Sequence, residues 1–498
     1  PNPKPQTPNP KPQTPNPVIK MLRVVSSLIL LVGSLKAACT VEQPSLSPGE
    51  YSSTHTSLLA KVVASPDCPT PPVVVLQSST GEKIVIQPSD SDTLDLTHIK
   101  SSRLPRYRKT AYFYRLDSIE LDREYLWSVR ADNTLGPYSF HIPDKFEFSQ
   151  YKYMIVSGLD VSDKSMAVNK LLAETNWTKY DALIHNGNAA FNLEDNGGAQ
   201  GDTFFHSLAP VLSQIPYMIV PGERDMAEGG RLIGYRYRMP GGGNGLNIYS
   251  YRQGAALFVF VNPRPFLNMD AEEKVTFLTT LSSTLQSSTH SWRLVILSSS
   301  LSCYPGDSDC GDNIYSLRPI LNILEREHVH LLIENVEGRY SRQTGSGVKN
   351  RYYPDIESAD ASLSHVVYGI SGNKVGAHLT SQSPLTSLSH VPATIPEESV
   401  LVLTVNQFSL QVELVDASTG QIVDRGRWYR GVARETMQYQ GLIYWLFILV
   451  PLFLLCPVAL SIRAKNLRHP TGEISESPVF TASQLYWDQI DTTNMSQR

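Results

Sequence analysis

The chain has 498 residues, room for two or three domains, and its 41% hydrophobic and 18% charged residues suit a folded protein with an ample core. A formal charge of -4 with no long basic or acidic block gives no sign of a nucleic-acid partner. Five cysteines with no CxxC pair give no sign of a zinc module and fit an oxidising compartment.

Residues 1–20 repeat PNPKPQT twice and then read PNP, a tract that favours extended, solvated backbone and builds no core. Residues 21–39 read as a signal peptide. Met21-Leu22-Arg23 is a short basic start, Val24 to Leu35 is apolar, and the small Ala37 and Ala38 follow. Residues 40–148 read as an all-β sandwich. PPVVVLQ and KIVIQ flank the hairpin signal SSTGE, and RKTAYFYRL, EYLWSVRA and YSFHIP follow at similar spacing.

From residue 149 strands and helices alternate. YKYMIV, DALIHN, PYMIVPG, ALFVFVN, RLVILSS, VHLLIEN and HVVYGIS read as strands. Between them MAVNKLLAE, DTFFHSLAPVLSQI, AEEKVTFLTTLSSTLQ and LRPILNILEREH carry helical spacing. Such alternation predicts a largely buried sheet with function in the loops beyond its strand ends. SVLVLTV, FSLQVELVD and GQIVDRGRWYR return to β, closing a domain at 149–432. After a linker at 433–440, Gly441 to Ile462 is 22 uncharged residues, long enough for a transmembrane helix. Tyr444 and Trp445 suit its interface, and residues 463–498 form a cytosolic tail. The signal peptide sets a single-pass type I topology, because arginines flank the span on both sides.

Cys303 and Cys310 flank a short polar loop and are expected to pair; Cys39 and Cys68 form a second candidate pair, and Cys456 lies in the span. Asn176-Trp177-Thr178 is a lumenal glycosylation sequon, whereas Asn494-Met495-Ser496 falls in the tail and is expected to be silent. Weaker signals are His185 at a strand end, GGGNG at 241–245 without a phosphate-loop lysine, Ser298 to Ser300 without an evident acid and base, and tail patterns at Ser475, Ser477 and Tyr486-Trp487.

HNGNAAFNL, GDTFFHSLAPVLSQIPYMIVPGERD, YGISGNKVG and GQIVDRGRWYR, in that order, resemble the purple acid phosphatases of the metallophosphoesterase (calcineurin-like) superfamily. The resemblance covers about residues 45–432. It implies an α/β (α+β) two-sheet sandwich flanked by helices, preceded by a fibronectin-III-like β-sandwich. It also implies a dinuclear iron, zinc or manganese centre at the carboxyl ends of the strands, holding phosphate and activating water.

Carried over position by position, the ligands are replaced. The family's Gly-Asp-x-Gly is Ser157-Gly158-Leu159-Asp160, and Gly-Asp-x-x-Tyr is Gly187-Asn188-Ala189-Ala190-Phe191. Gly-Asn-His-Glu is Gly222-Glu223-Arg224-Asp225, and the next histidine falls on Ser298. Gly-His-x-His-x-Tyr-x-Arg is Asn335-Val336-Glu337-Gly338-Arg339-Tyr340-Ser341-Arg342. Arg224 repels a dication, and Val336 and Gly338 offer no side-chain donor. We therefore expect no catalytic residue, no bound metal and no cofactor. Asp160, Glu223, Arg224, Asp225, Glu337, Arg339 and Arg342 form a candidate residual anion or cation site, with Glu334 nearby in sequence.

The expected function is that of a pseudoenzyme at the cell surface or in an endomembrane, vacuolar or lysosomal membrane, binding or scaffolding an unknown protein or anionic ligand. The alternatives are a membrane-anchored acid phosphatase with a rebuilt metal site and a purely structural surface protein.

Overall fold

A computed structural model describes residues 39–429 apart from internal stretches, the longest being 96–107, 143–149, 238–246, 302–309, 344–356 and 369–388. The Pro-rich start, the signal segment up to residue 38, the linker, the span and the tail lie outside the described residues. Among those described, no helix is long and apolar enough to cross a membrane. The described residues form one compact unit.

The first eight strands are β1 (Val41–Tyr51), β2 (His55–Ala64), β3 (Val73–Ser78), β4 (Lys83–Ile86), β5 (Asp90–Asp95), β6 (Arg108–Glu120), β7 (Arg123–Arg130) and β8 (Thr134–Ile142). They form two antiparallel sheets in the orders β1-β2-β6-β5 and β4-β3-β7-β8. Alternate residues such as Val74, Leu76, Tyr125, Trp127 and Val129 turn inward and share a core with Leu58, Ala60, Val62 and Tyr114. The Cys39–Cys68 disulfide ties the chain entering β1 to the loop after β2. Cys39 therefore belongs with the sandwich and not with the segment before it.

The second part opens with β9 (Tyr151–Val156), α1 (Met166–Glu174), β10 (Ala182–Asn186), α2 (Ala199–Leu212), β11 (Tyr217–Val220) and α3 (Arg231–Arg236). It continues with β12 (Ile248–Gln253), β13 (Ala256–Val261), α4 (Arg264–Asn268), α5 (Ala271–Gln286), β14 (Trp292–Leu297), α6 (Cys310–Arg326) and β15 (Leu331–Glu334). It closes with β16 (Tyr340–Gln343), β17 (Glu357–Ser358), β18 (Ser364–Tyr368), β19 (Ser389–His390), β20 (Ser399–Val405), β21 (Ser409–Asp416) and β22 (Ile422–Tyr429).

Two seven-stranded mixed sheets result, β11-β10-β9-β20-β21-β22-β17 and β12-β13-β14-β15-β18-β16-β19. β10, β11, β13, β15 and β20 are buried at every position, as strands covered on both faces must be. One core joins the facing sides of the two sheets, and another packs Phe266, Phe277, Leu281, Ile320 and Leu324 of α4, α5 and α6 on the second sheet. Long side chains tether sheet to sheet. Tyr153 Oη donates to Gln253 Oε1 at 2.7 Å, Tyr249 Oη to the Ile219 carbonyl at 2.7 Å, and Tyr340 Oη to Asp424 Oδ2 at 2.6 Å. The last bond joins the trailing tyrosine of the final family-like loop to the GQIVDRGRWYR strand.

The sandwich docks on α2 through polar contacts. Buried Trp127 donates to the Ser213 carbonyl at 2.8 Å, and Gln43 donates to Asp202 at 3.0 Å. Asp202 also pairs with Lys109 at 2.8 Å and with fully buried Arg236 at 3.0 Å, while Lys109 pairs again with Glu42. Lys61 lies buried beside this network, its Nζ 4.9 Å from the centre of the Phe205 ring and without a hydrogen-bond acceptor. Burial, and then the Arg236 cation, bring its pKa down to about 7, against the pull of Asp202 and Glu42.

Two predictions follow from this packing. Between about pH 7 and the unfolded lysine value near 10.4, the unfolded chain binds the extra proton, so stability rises with pH. Urea unfolding midpoints measured over that window should climb in the native protein and flatten in Lys61→Met. The second concerns the disulfide, which closes a 29-residue separation; replacing both cysteines by serine should cost roughly 3 to 4 kcal/mol, read from the same unfolding curves at fixed pH.

Candidate functional site

Five loops meet where the strands of both sheets end. They follow β9 (Ser157 and Gly158), β10 (Gly187 and Asn188), β11 (Gly222 to Asp225), β14 (Ser298) and β15 (Asn335). The contact between them is direct. The Gly158 amide donates to the Gly187 carbonyl at 3.0 Å. A Cβ on Gly187, whose φ is +78°, would stand 3.1 Å from Asn335 Nδ2, 3.2 Å from Gly222 Cα and 3.3 Å from Ser298 Cβ. A Cβ on Gly222 would collide with the Asn188 amide. Glycine is thus favoured at Gly222 by close approach and at Gly187 by the left-handed backbone, with tight contacts besides.

Asn335 joins the sheets at this point. Its Oδ1 accepts from Ser157 Oγ at 2.7 Å, and its Nδ2 donates to the Asn186 carbonyl at 2.7 Å. Its backbone amide donates to the Leu297 carbonyl at 3.0 Å. Asn186 belongs to the first sheet and Ser157 to the loop leaving its β9, whereas Leu297 belongs to the second. Asn335 stands where the resemblance has a glycine, so the motif assigns it no role. An amide where a crowded site has glycine was the available signal.

The ligand-position residues that are described take their places around it. Half-buried Asn188 presents Oδ1 to the Arg224 amide at 3.4 Å, a long contact, and its φ is +53°. The Arg224 side chain is half-buried beside it. Ser298 and Asn186 are buried, and neither the Ser298 Oγ nor the Asn186 side-chain amide has a hydrogen-bond partner among the described residues. Asp225 is fully buried and accepts from the Gly222 amide at 2.8 Å. Burial raises its pKa to about 7, against the amides of Gly222, Ala189 and Asn188. Glu334 is buried with Oε1 accepting from the Leu301 amide at 2.8 Å.

The residual carboxylates do not assemble among the described residues. Asp160 turns to the Val161 amide at 2.7 Å and to Gln200 at 3.1 Å. No group of three or more His, Cys, Asp or Glu side chains comes together among the described residues. Phe191, Glu223, Val336, Glu337, Gly338, Arg339 and Cys303 lie outside them, as does the GGGNG loop, and the side chains of Cys310 and Arg342 are likewise not described. His185 is structural. Its Nδ1 meets Tyr217 Oη at 2.8 Å, and burial lowers its pKa to about 3, so the ring is neutral.

Comparison with known proteins falls in line with this geometry. No family model matches the chain. Human acid phosphatase type 7 is 35% identical over 95 residues, 19% of this chain and 22% of that protein. The mouse protein of the same name is 32% identical over 95 residues, with the same shares. The match thus spans about a fifth of these curated relatives. The structure of purple acid phosphatase PPD1 from yellow lupin (Lupinus luteus) seeds covers 79% of this chain and 75% of its own, with a TM-score of 0.64 and 15% identity. The fold is purple-acid-phosphatase-like.

This relationship corrects one expectation. Purple acid phosphatase homologues use a dinuclear metal centre, so the expectation of no cofactor, drawn from single side chains, does not stand. The fit of the described residues to such a centre is nonetheless poor. Asn188 offers an amide oxygen that faces the Arg224 amide, Ser298 an orphaned hydroxyl, Gly158 nothing and Arg224 a cation. A two-metal clamp needs carboxylates and imidazoles.

Asn335→Ala removes the hydrogen bonds to Ser157 Oγ and to the Asn186 carbonyl from a buried site. The expected cost is about 2 to 4 kcal/mol, measured by denaturant unfolding.

Proposed function

We propose that this purple-acid-phosphatase-like scaffold acts by binding and does not turn over phosphomonoesters, and that it forms the lumenal or extracellular part of a single-pass type I membrane protein. In this reading residues 40–440 face the lumen, 441–462 span the membrane, and the first sandwich is of the fibronectin-III-like kind. One observation carries it. Where the five loops meet, Asn335 holds Ser157 and Asn186, Asn188 faces the Arg224 amide, and the Ser298 hydroxyl and Asn186 side-chain amide, which have no partner among the described residues, are neutral groups. Hydrolysis requires a positioned base and an activated water, and the fully buried Asp225 carboxyl does not face solvent. The half-buried Arg224 suits an anionic group on the ligand, since a guanidinium recognises carboxylate or phosphate without cleaving it.

Asp225 also supports the second reading, an acid phosphatase with a rebuilt site, because a carboxyl titrating near neutrality is a candidate acid or base. The two are separated by one series of assays. The protein is supplied with iron, zinc or manganese and a generic phosphomonoester across acid and neutral pH. No turnover is expected, while inorganic phosphate should raise the melting temperature in the native protein and not in Arg224→Ala. Turnover that disappears in Asp225→Asn would overturn the binding reading in favour of the phosphatase. Neither turnover nor stabilisation would leave a surface protein whose cleft is purely structural.

A further inference from the structure

Asn176, Trp177 and Thr178 sit in the turn between α1 and β10, and the fold sorts the three side chains. Asn176 and Thr178 are exposed, whereas Trp177 is buried, with Nε1 donating to the Leu172 carbonyl at 3.2 Å and its ring 5.7 Å from Tyr180. The buried indole pins the turn, so the outer two residues face solvent in a fixed relation. Asn176 caps the short 3-10 helix Trp177–Lys179, its Oδ1 accepting from the Thr178 amide at 3.1 Å and from Thr178 Oγ1 at 2.7 Å. Both bonds fall on the oxygen. The Nδ2 group of this exposed side chain is left for chemistry, and the threonine hydroxyl is already placed against the amide it must assist.

We infer that Asn176 carries an N-linked glycan. The inference rests on the lumenal placement proposed above, and the Cys39–Cys68 disulfide supports the same oxidising compartment independently of the sequon. The donor is a lipid-diphosphate-linked oligosaccharide. Asn176 Nδ2 forms a bond to C1 of its reducing-end sugar, the C1–O bond to the diphosphate breaks, and the lipid diphosphate leaves with the electron pair. The amide proton passes to a base of the transferase.

The position also fits the binding reading. Asn176 precedes β10, while Gly187 and Asn188 follow it. Five strand residues separate the two ends by roughly 15 Å. A glycan there covers the amino ends of the strands and leaves the meeting point of the five loops open to a partner.

The test expresses the full chain through a secretory pathway and compares its gel mobility and peptide masses before and after peptide N-glycosidase. The expected result is a mobility shift, with Asn converted to Asp at position 176. The shift should be absent in Asn176→Gln and Thr178→Ala and retained in Thr178→Ser, a control that keeps the sequon and the cap if Asn176→Gln misfolds. Thiol alkylation of the same samples reports Cys39 and Cys68. A formed disulfide with unmodified Asn176 overturns the glycan site while sparing the lumenal reading. Free thiols with unmodified Asn176 overturn the lumenal reading and the site with it.

Discussion

The closure of two seven-stranded sheets at the carboxyl ends of their strands is the constraint on which the remaining structure depends. Five loops converge there, bringing backbone polar groups into a region with little water, and each must find a partner. Asn335 satisfies two such groups, the Asn186 carbonyl through its side chain and the Leu297 carbonyl through its amide, and also accepts from the Ser157 hydroxyl. The glycines at 187 and 222 allow the loops to approach closely enough for these bonds to form. Away from this point the sheets are held by tyrosines reaching across the core, as Tyr340 does to Asp424.

The same closure links packing to function. A site that performs chemistry leaves reactive groups facing substrate and supports them from behind. Here Asn335 and Asp225 are buried, Asn335 bonded to the neighbouring loops and Asp225 to the Gly222 amide of its own loop. Half-buried Arg224 and Asn188 remain at the margin, where a ligand could meet them. The sandwich contributes by packing Trp127 and the Asp202 ion network against α2, the helix that follows the Asn188 loop in the chain.

The element order was legible because burial sets the sequence period. β10, β13, β15 and β20 are short apolar runs with turn signals on both sides, and α1 matches the helical spacing of MAVNKLLAE residue for residue. β1 was not legible. Pro44 and Pro48 interrupt its pattern, and its pairing with β2 carries register shifts that tertiary contacts hold in place. The departures at Asn188, Arg224 and Ser298 could be read from motif spacing. Asn335 could not be read as a tether, because its role comes from two carbonyls and a hydroxyl distant in sequence. The partners of Lys61 were hidden for the same reason.

A double-mutant cycle between Ser157 and Asn335, measured by denaturant unfolding of the two alanine single mutants and the pair, tests most directly whether this closure holds the loops together. The account predicts that the double mutant loses less than the sum of the singles, by about 1 kcal/mol or more, because both mutations remove the same buried hydrogen bond. Additive losses, agreeing within roughly 0.3 kcal/mol, would show that the two residues act separately and would contradict it.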